Sequence, residues 1–224
     1  MSADTRQLIL DKSEMLVRSR GYTAFSYADL AADLGITKAS VHYHFASKED
    51  LVLAIFRRCT ERARDALAQM RRDHTDARDR LRAYANSFVF SVESGMMPVC
   101  GTLAAERATL PPSTYPGMQE FFQLQIDWLV GVIAEGVSAG VIAPPMPPHQ
   151  AAMVVFSALE GGTMIAWGMD RKSMVLTAFE AILDCMQLQT KQTPATVGKR
   201  KQARQGAARR RPSRSAAQAG GPRI

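Results

Sequence analysis

Hydrophobic residues in the first quarter of the chain fall on helical spacing. Over residues 5–20, Ile9, Leu16 and Val17 share one side with Ser13 among them, which predicts an amphipathic helix. Gly21 follows where a helix commonly ends on a glycine. Phe25 then precedes Ser26 and Asp29, a pair at capping-box spacing, so a short helix is predicted over 27–34 with Leu30, Ala31 and Leu34 inward. Gly35 breaks it. Thr37, with Ser40 three residues on, starts a second short helix over 37–44. Two short helices, a turn of about three residues and small residues inside describe a helix-turn-helix. Ser47 and Asp50 repeat the capping spacing and begin a long helix through Leu51, Ile55 and Cys59 toward residue 70.

The same period continues. Leu81, Tyr84, Ala85 and Phe88 predict a helix over 76–93. Pro98 opens the next, which carries Leu103 and Ala104 and stops before Pro111 and Pro112. Residues 118–138 form a long periodic stretch with Phe121, Phe122, Leu124, Ile126, Leu129 and Ile133. A proline-rich connector at 143–150 leads to two apolar helices over 149–168 and 171–188. No strand-like alternation of useful length occurs. The expected fold is all-α with about nine helices. It divides into a helix-turn-helix head at 1–56, a helical body at 57–190 and a tail at 191–224 that lacks apolar mass and is expected to be disordered.

Charge sharpens this division. The chain of 224 residues has a formal net charge of +7, but ten of its 28 Lys and Arg lie beyond residue 190, where there is no acid. The tail therefore accounts for the basic balance, and evidence for nucleic-acid binding must come from local pattern. No run approaches 18 apolar residues, and the N-terminus lacks a basic segment followed by an apolar core. Neither a membrane span nor a secretory signal is expected. Three widely spaced cysteines, Cys59, Cys100 and Cys185, argue against a disulfide framework and a zinc cluster, and for the cytoplasm. No paired carboxylates, phosphate loop, Ser-His-Asp set or metal cluster stands out. No enzyme activity, cofactor or metal is expected.

The segment around residues 5–56 resembles the DNA-binding domain of the tetracycline repressor (TetR) family. The features that carry the resemblance are Ile9–Leu10, Gly21–Tyr22, Leu30–Ala31, Gly35, His42–Tyr43–His44–Phe45 and Ser47–Lys48–Glu49. Two positions depart from the pattern: Lys12 stands where a small core residue is usual, and His42 where a tyrosine is usual, with Tyr43 one place later. The resemblance implies that helix 37–44 enters the major groove. Thr37, Lys38 and Ser40 are then the candidates for base or phosphate contact, with simple capping by Thr37 and a solvated Lys38 as alternatives. Ser26 and Tyr27 would meet backbone at the start of the first short helix. His42 and Tyr43 would contact phosphate, and Lys48 would reach it from the flank.

The resemblance also implies a ligand pocket in the body. Candidate lining or sensing residues are Phe88, Met97, Cys100, Leu103, Phe122, Ile126 and Phe156, each of which reads equally as bundle core. Cys100 lies just after Pro98, where free amides at a helix start would favour a thiolate. It reads as a reactive sensor, a pocket residue or core. The last two helices, 149–188, are apolar enough to form a homodimer interface. The expected function is a repressor released from a palindromic operator by a small molecule. A redox- or electrophile-sensing repressor using Cys100 and a helical interaction protein that does not bind DNA are the alternatives. The basic tail would add sequence-independent affinity or serve solubility.

Overall fold

A computed structural model of the chain describes residues 2–186. The tail at 191–224, expected to be disordered, lies outside the described residues. Among those described there are nine α-helices, two short 3-10 turns and no strand. Helix α1 (Ser2–Arg20) buries Ile9, Leu10, Ser13, Leu16 and Val17. Helix α2 (Tyr27–Leu34) starts at a complete Ser26–Asp29 capping box and ends at Gly35, whose φ of 65° is left-handed. That conformation costs glycine nothing, and it lets the Gly35 and Ile36 amides return to carbonyls of α2. Helix α3 (Lys38–His44) is capped by Thr37, and α4 (Lys48–Asp73) by a second complete box, Ser47–Asp50.

The body comprises α5 (Ala77–Glu93), α6 (Val99–Ala105), 3-10 turns at Arg107–Thr109 and Pro112–Thr114, α7 (Tyr115–Ser138), α8 (Pro148–Gly168) and α9 (Met174–Cys185). Helix α9 begins later than the residue-171 start expected from sequence. The Arg171 amide folds back on the Ala166 carbonyl and Asp170 takes φ 51°, so 169–173 serve as the C-terminal turn of α8.

Two apolar cores result. One joins α5, α7, α8 and α9 around Leu81, Tyr84, Leu129, Ile133, Val155 and Phe179. The other holds α1–α3 on the first half of α4 and continues into Val99, Cys100 and Leu103 of α6 and Met118 of α7. The head's core therefore runs past residue 56, and α4 crosses that point as one unbroken helix. By length and composition α8 could cross a bilayer. Here it packs between α7 and α9, burying Ala152, Val155 and Leu159.

Candidate nucleic-acid interface and ligand cavity

The head presents α3 outward. Thr37, Lys38, His42 and Tyr43 are exposed and Ser40 is half-buried. Val41 alone of the helix is fully buried. Thr37 Oγ1 accepts from the Ser40 amide at 3.1 Å, so this side chain does cap the helix. Tyr43 is 79% exposed on the outward side of α3. His42 directs Nδ1 to the Ala46 carbonyl at 3.2 Å and sets its ring edge-on to Tyr27 at 4.8 Å. His44 is half-buried with its ring 5.1 Å from that of Tyr43. Ser26 is exposed at the start of α2. Lys12 projects to the edge of the head and pairs with Asp33 of α2 at 2.9 Å, which explains how a charge occupies a position expected to be small.

Two candidate contact residues have other occupations. Tyr27 is 6% exposed, and its hydroxyl donates to the Ser47 carbonyl at the start of α4. Burial, followed by the Asp50 charge, raises its phenol pKa. Lys48 turns inward, donating to the carbonyls of Tyr22 and Phe25 with its ammonium 4.3 and 4.1 Å from their ring centroids. The α1–α2 loop leaves these carbonyls without helical partners, and the lysine satisfies them. The side chain thus ties the loop to α4 instead of pointing outward toward the expected phosphate.

A cavity of about 250 Å³ opens where the head meets the body. Helix α1 supplies Glu14 and Arg18, α4 supplies Cys59 and Arg62, and α5 supplies Phe88 and Ser91. Phe121 and Gln125 come from α7 and Glu160 from α8, with Pro98 and Val99 at the start of α6. Glu14 is buried and bridges Arg58 and Arg62. Gln125 accepts from the Tyr84 hydroxyl at 2.8 Å. Of the residues expected to line a pocket, Phe88 borders this cavity. Phe156 is buried in the body core with Phe122 and Ile126 packed on that core, while Leu103 and Cys100 lie in the head's core. Met97 faces α1 through its backbone. The polar lining was missed, although a lone glutamate in the apolar run of α8 was a readable signal.

Of the three readings of Cys100, burial favours the core over the thiolate. The side chain is 1% exposed, and burial, with Cys59 beside it, pushes the thiol well above its ordinary pKa. Desolvation outweighs the short helix's amides.

Two ties join the cavity wall to the head. Arg18 donates Nε to the Met97 carbonyl at 2.8 Å, while the Met97 amide donates to the Arg18 carbonyl at 3.2 Å. Glu106, at the end of α6, accepts from the amides of Tyr22 and Thr23 at 3.1 and 3.0 Å and from the Thr23 hydroxyl. Gly21 makes room for it: a Cβ there would lie 1.9 Å from Glu106 Oε1, and its φ is 92°.

This outward-facing α3 on a capped three-helix head, carried by an all-helical body, defines a helix-turn-helix transcriptional regulator that binds DNA. A model of bacterial regulatory proteins of the tetR family matches residues 9–55. The chain is 36% identical over 87 residues to the transcriptional activator FasR of Mycolicibacterium smegmatis, a match spanning 39% of each chain. It is 22% identical over 204 residues to the transcriptional repressor BepR of Brucella suis, spanning 88% of this chain and 96% of that one. A TetR-family regulator from Agrobacterium tumefaciens superposes with a TM-score of 0.81 at 25% identity, covering 84% of this chain and all of that structure. Residues 9–55 thus match the tetR-family DNA-binding head, and the described residues share the fold of a TetR-family transcriptional regulator.

Proposed function

We propose that the protein is a homodimeric repressor that leaves a palindromic operator when a small molecule enters the cavity between head and body. One observation carries this reading: the cavity wall and the head's anchors are the same pieces of chain. Arg18 lines the cavity and clasps Met97, while α6 forms part of the wall and ends in the Glu106 that holds the loop before α2. A guest that displaces α6 therefore displaces the head. In a dimer this changes the distance between two α3 helices, and operator half-sites tolerate little change in spacing. In this reading residues 1–56 read DNA. Thr37, Lys38 and Ser40 approach the bases, while His42, Tyr43, Ser26 and the first amides of α2 approach phosphate. Residues 57–190 sense and dimerise, and the basic segment 191–224 adds sequence-independent affinity in the cytoplasm.

The dimer surface in this proposal is the outer face of α8. Met153, Val154, Met164, Ile165 and Trp167 are exposed there, with Met169 just beyond. Gly161 opens outward with nothing near its absent Cβ, whereas Gly162 lets Val175 of α9 approach within the same chain. The test is selection of bound fragments from the native genome by the full-length chain, followed by footprinting. A symmetric site spanning two successive major grooves, next to genes whose transcription rises when the regulator is deleted, is the expected result. An asymmetric or absent site overturns the proposal, and transcription that falls on deletion makes the protein an activator.

A further inference from the structure

Glu160 differs from the other ionisable groups of the cavity. Glu14 is neutralised by Arg58 and Arg62. Arg18 is occupied by the Met97 carbonyl and, at 3.3 Å, by the Ser91 hydroxyl. Glu160 borders the cavity from α8, and among the described residues no base or hydrogen-bond donor meets its carboxylate. It lies over Gly101 of α6, whose missing side chain leaves it room; a Cβ there would be 2.8 Å from Oε2. The rings of Phe88 and Phe121 line the same space. A largely buried carboxylate without a protein partner is costly, and a cationic guest in the cavity would supply one.

Resting on the regulator reading above, we propose that the cavity takes an organic cation, an amine or quaternary ammonium on an aromatic or alkyl body, whose positive centre meets Glu160. Phe88 and Phe121 supply aromatic lining beside it, which a cation favours. A volume of about 250 Å³ suits a guest of one ring and a short chain. An anionic guest would confront Glu160 and find both arginines already engaged by Glu14, Met97 and Ser91.

The assignment carries a pH signature. Burial pushes the Glu160 carboxyl up to about 7. A cation binds the ionised form, so its affinity falls by about tenfold per pH unit below that value and levels off above it. The other titratable groups around the site are Glu14 and Arg18 of α1, Cys59 and Arg62 of α4, Tyr84 of α5 and Cys100 of α6. Burial raises Tyr84 and Cys100, which keeps both neutral across this range.

The test uses the full chain with three matched probes: benzyldimethylbutylammonium, neutral benzyl butyl ether and anionic phenylbutanoate. The ammonium should bind tightest. Glu160→Gln should weaken it about tenfold or more, leave the ether unchanged and remove the pH dependence, while Glu160→Asp keeps the preference. Cooperative thermal unfolding of each variant establishes that it is folded. Equal ammonium affinity in folded Glu160→Gln, tighter binding of phenylbutanoate, or no ammonium binding overturns the assignment. Operator release is read separately. Ammonium binding that leaves the DNA complex intact keeps this assignment and removes the release step, whereas release by phenylbutanoate through the cavity keeps release and overturns the cation.

Discussion

Lys38 stands on the first turn of α3, exposed and without a protein partner among the described residues. Lys38→Ala should weaken operator binding by about 1–3 kcal/mol and relax one position of the site if the ammonium reads a guanine. Equal weakening on all sequences, with a salt slope lower by about one, identifies a phosphate contact instead. Unchanged affinity and preference would remove α3 from the groove. Lys48 lies in the same motif but should behave differently. Lys48→Met leaves the Tyr22 and Phe25 carbonyls unsatisfied, so thermal stability should fall by about 1–3 kcal/mol, and the salt slope of the DNA complex should stay the same. A lower slope with unchanged melting would restore Lys48 to the phosphate backbone. Cys100 should resist N-ethylmaleimide near pH 7 in the folded protein and react once denaturant exposes it, with mass spectrometry locating the adduct. Adduct at Cys100 in the native state would reopen covalent sensing.

At the scale of elements, legibility followed the range of the forces involved. The Ser26–Asp29 and Ser47–Asp50 boxes and Gly35 act within one helical turn, and the short helices appear where the sequence places them. The cavity depends on neighbours far apart in sequence. Glu14, Arg62, Gln125 and Glu160 come from four helices, and no local period reports that they converge. The apolar content of α8 and α9 was visible, but its partition was not. Phe156, Leu159, Val175 and Phe179 face the chain's own core, while Met164, Ile165 and Trp167 face outward. That partition supplies a test. Met164→Glu with Trp167→Glu places charge on the outer face and leaves the core intact, so sedimentation at micromolar concentration should shift from dimer to folded monomer. A double variant that stays dimeric excludes this face from the interface.

Across the whole molecule, the proposed ligand control requires that cavity and head be coupled, and the coupling free energy must then act equally in both directions. The structure offers two routes, the Arg18–Met97 clasp and the Glu106 bridge to Tyr22 and Thr23. Only the second can be removed without altering the cavity lining, because Arg18 itself borders the guest. Glu106→Ala loses the bridge and leaves two loop amides to water. If the bridge transmits the signal, guest affinity of the DNA-free variant should stay close to wild type, and so should affinity for a single half-site. The factor by which guest weakens operator binding should shrink, a loss of about 0.5–2 kcal/mol of coupling. Titrating operator with and without guest, then guest with and without operator, measures that factor twice, and the two values must agree for each protein. An undiminished factor in Glu106→Ala would assign transmission to the Arg18–Met97 clasp, because α6 would then have no other polar hold on the α1–α2 loop among the described residues.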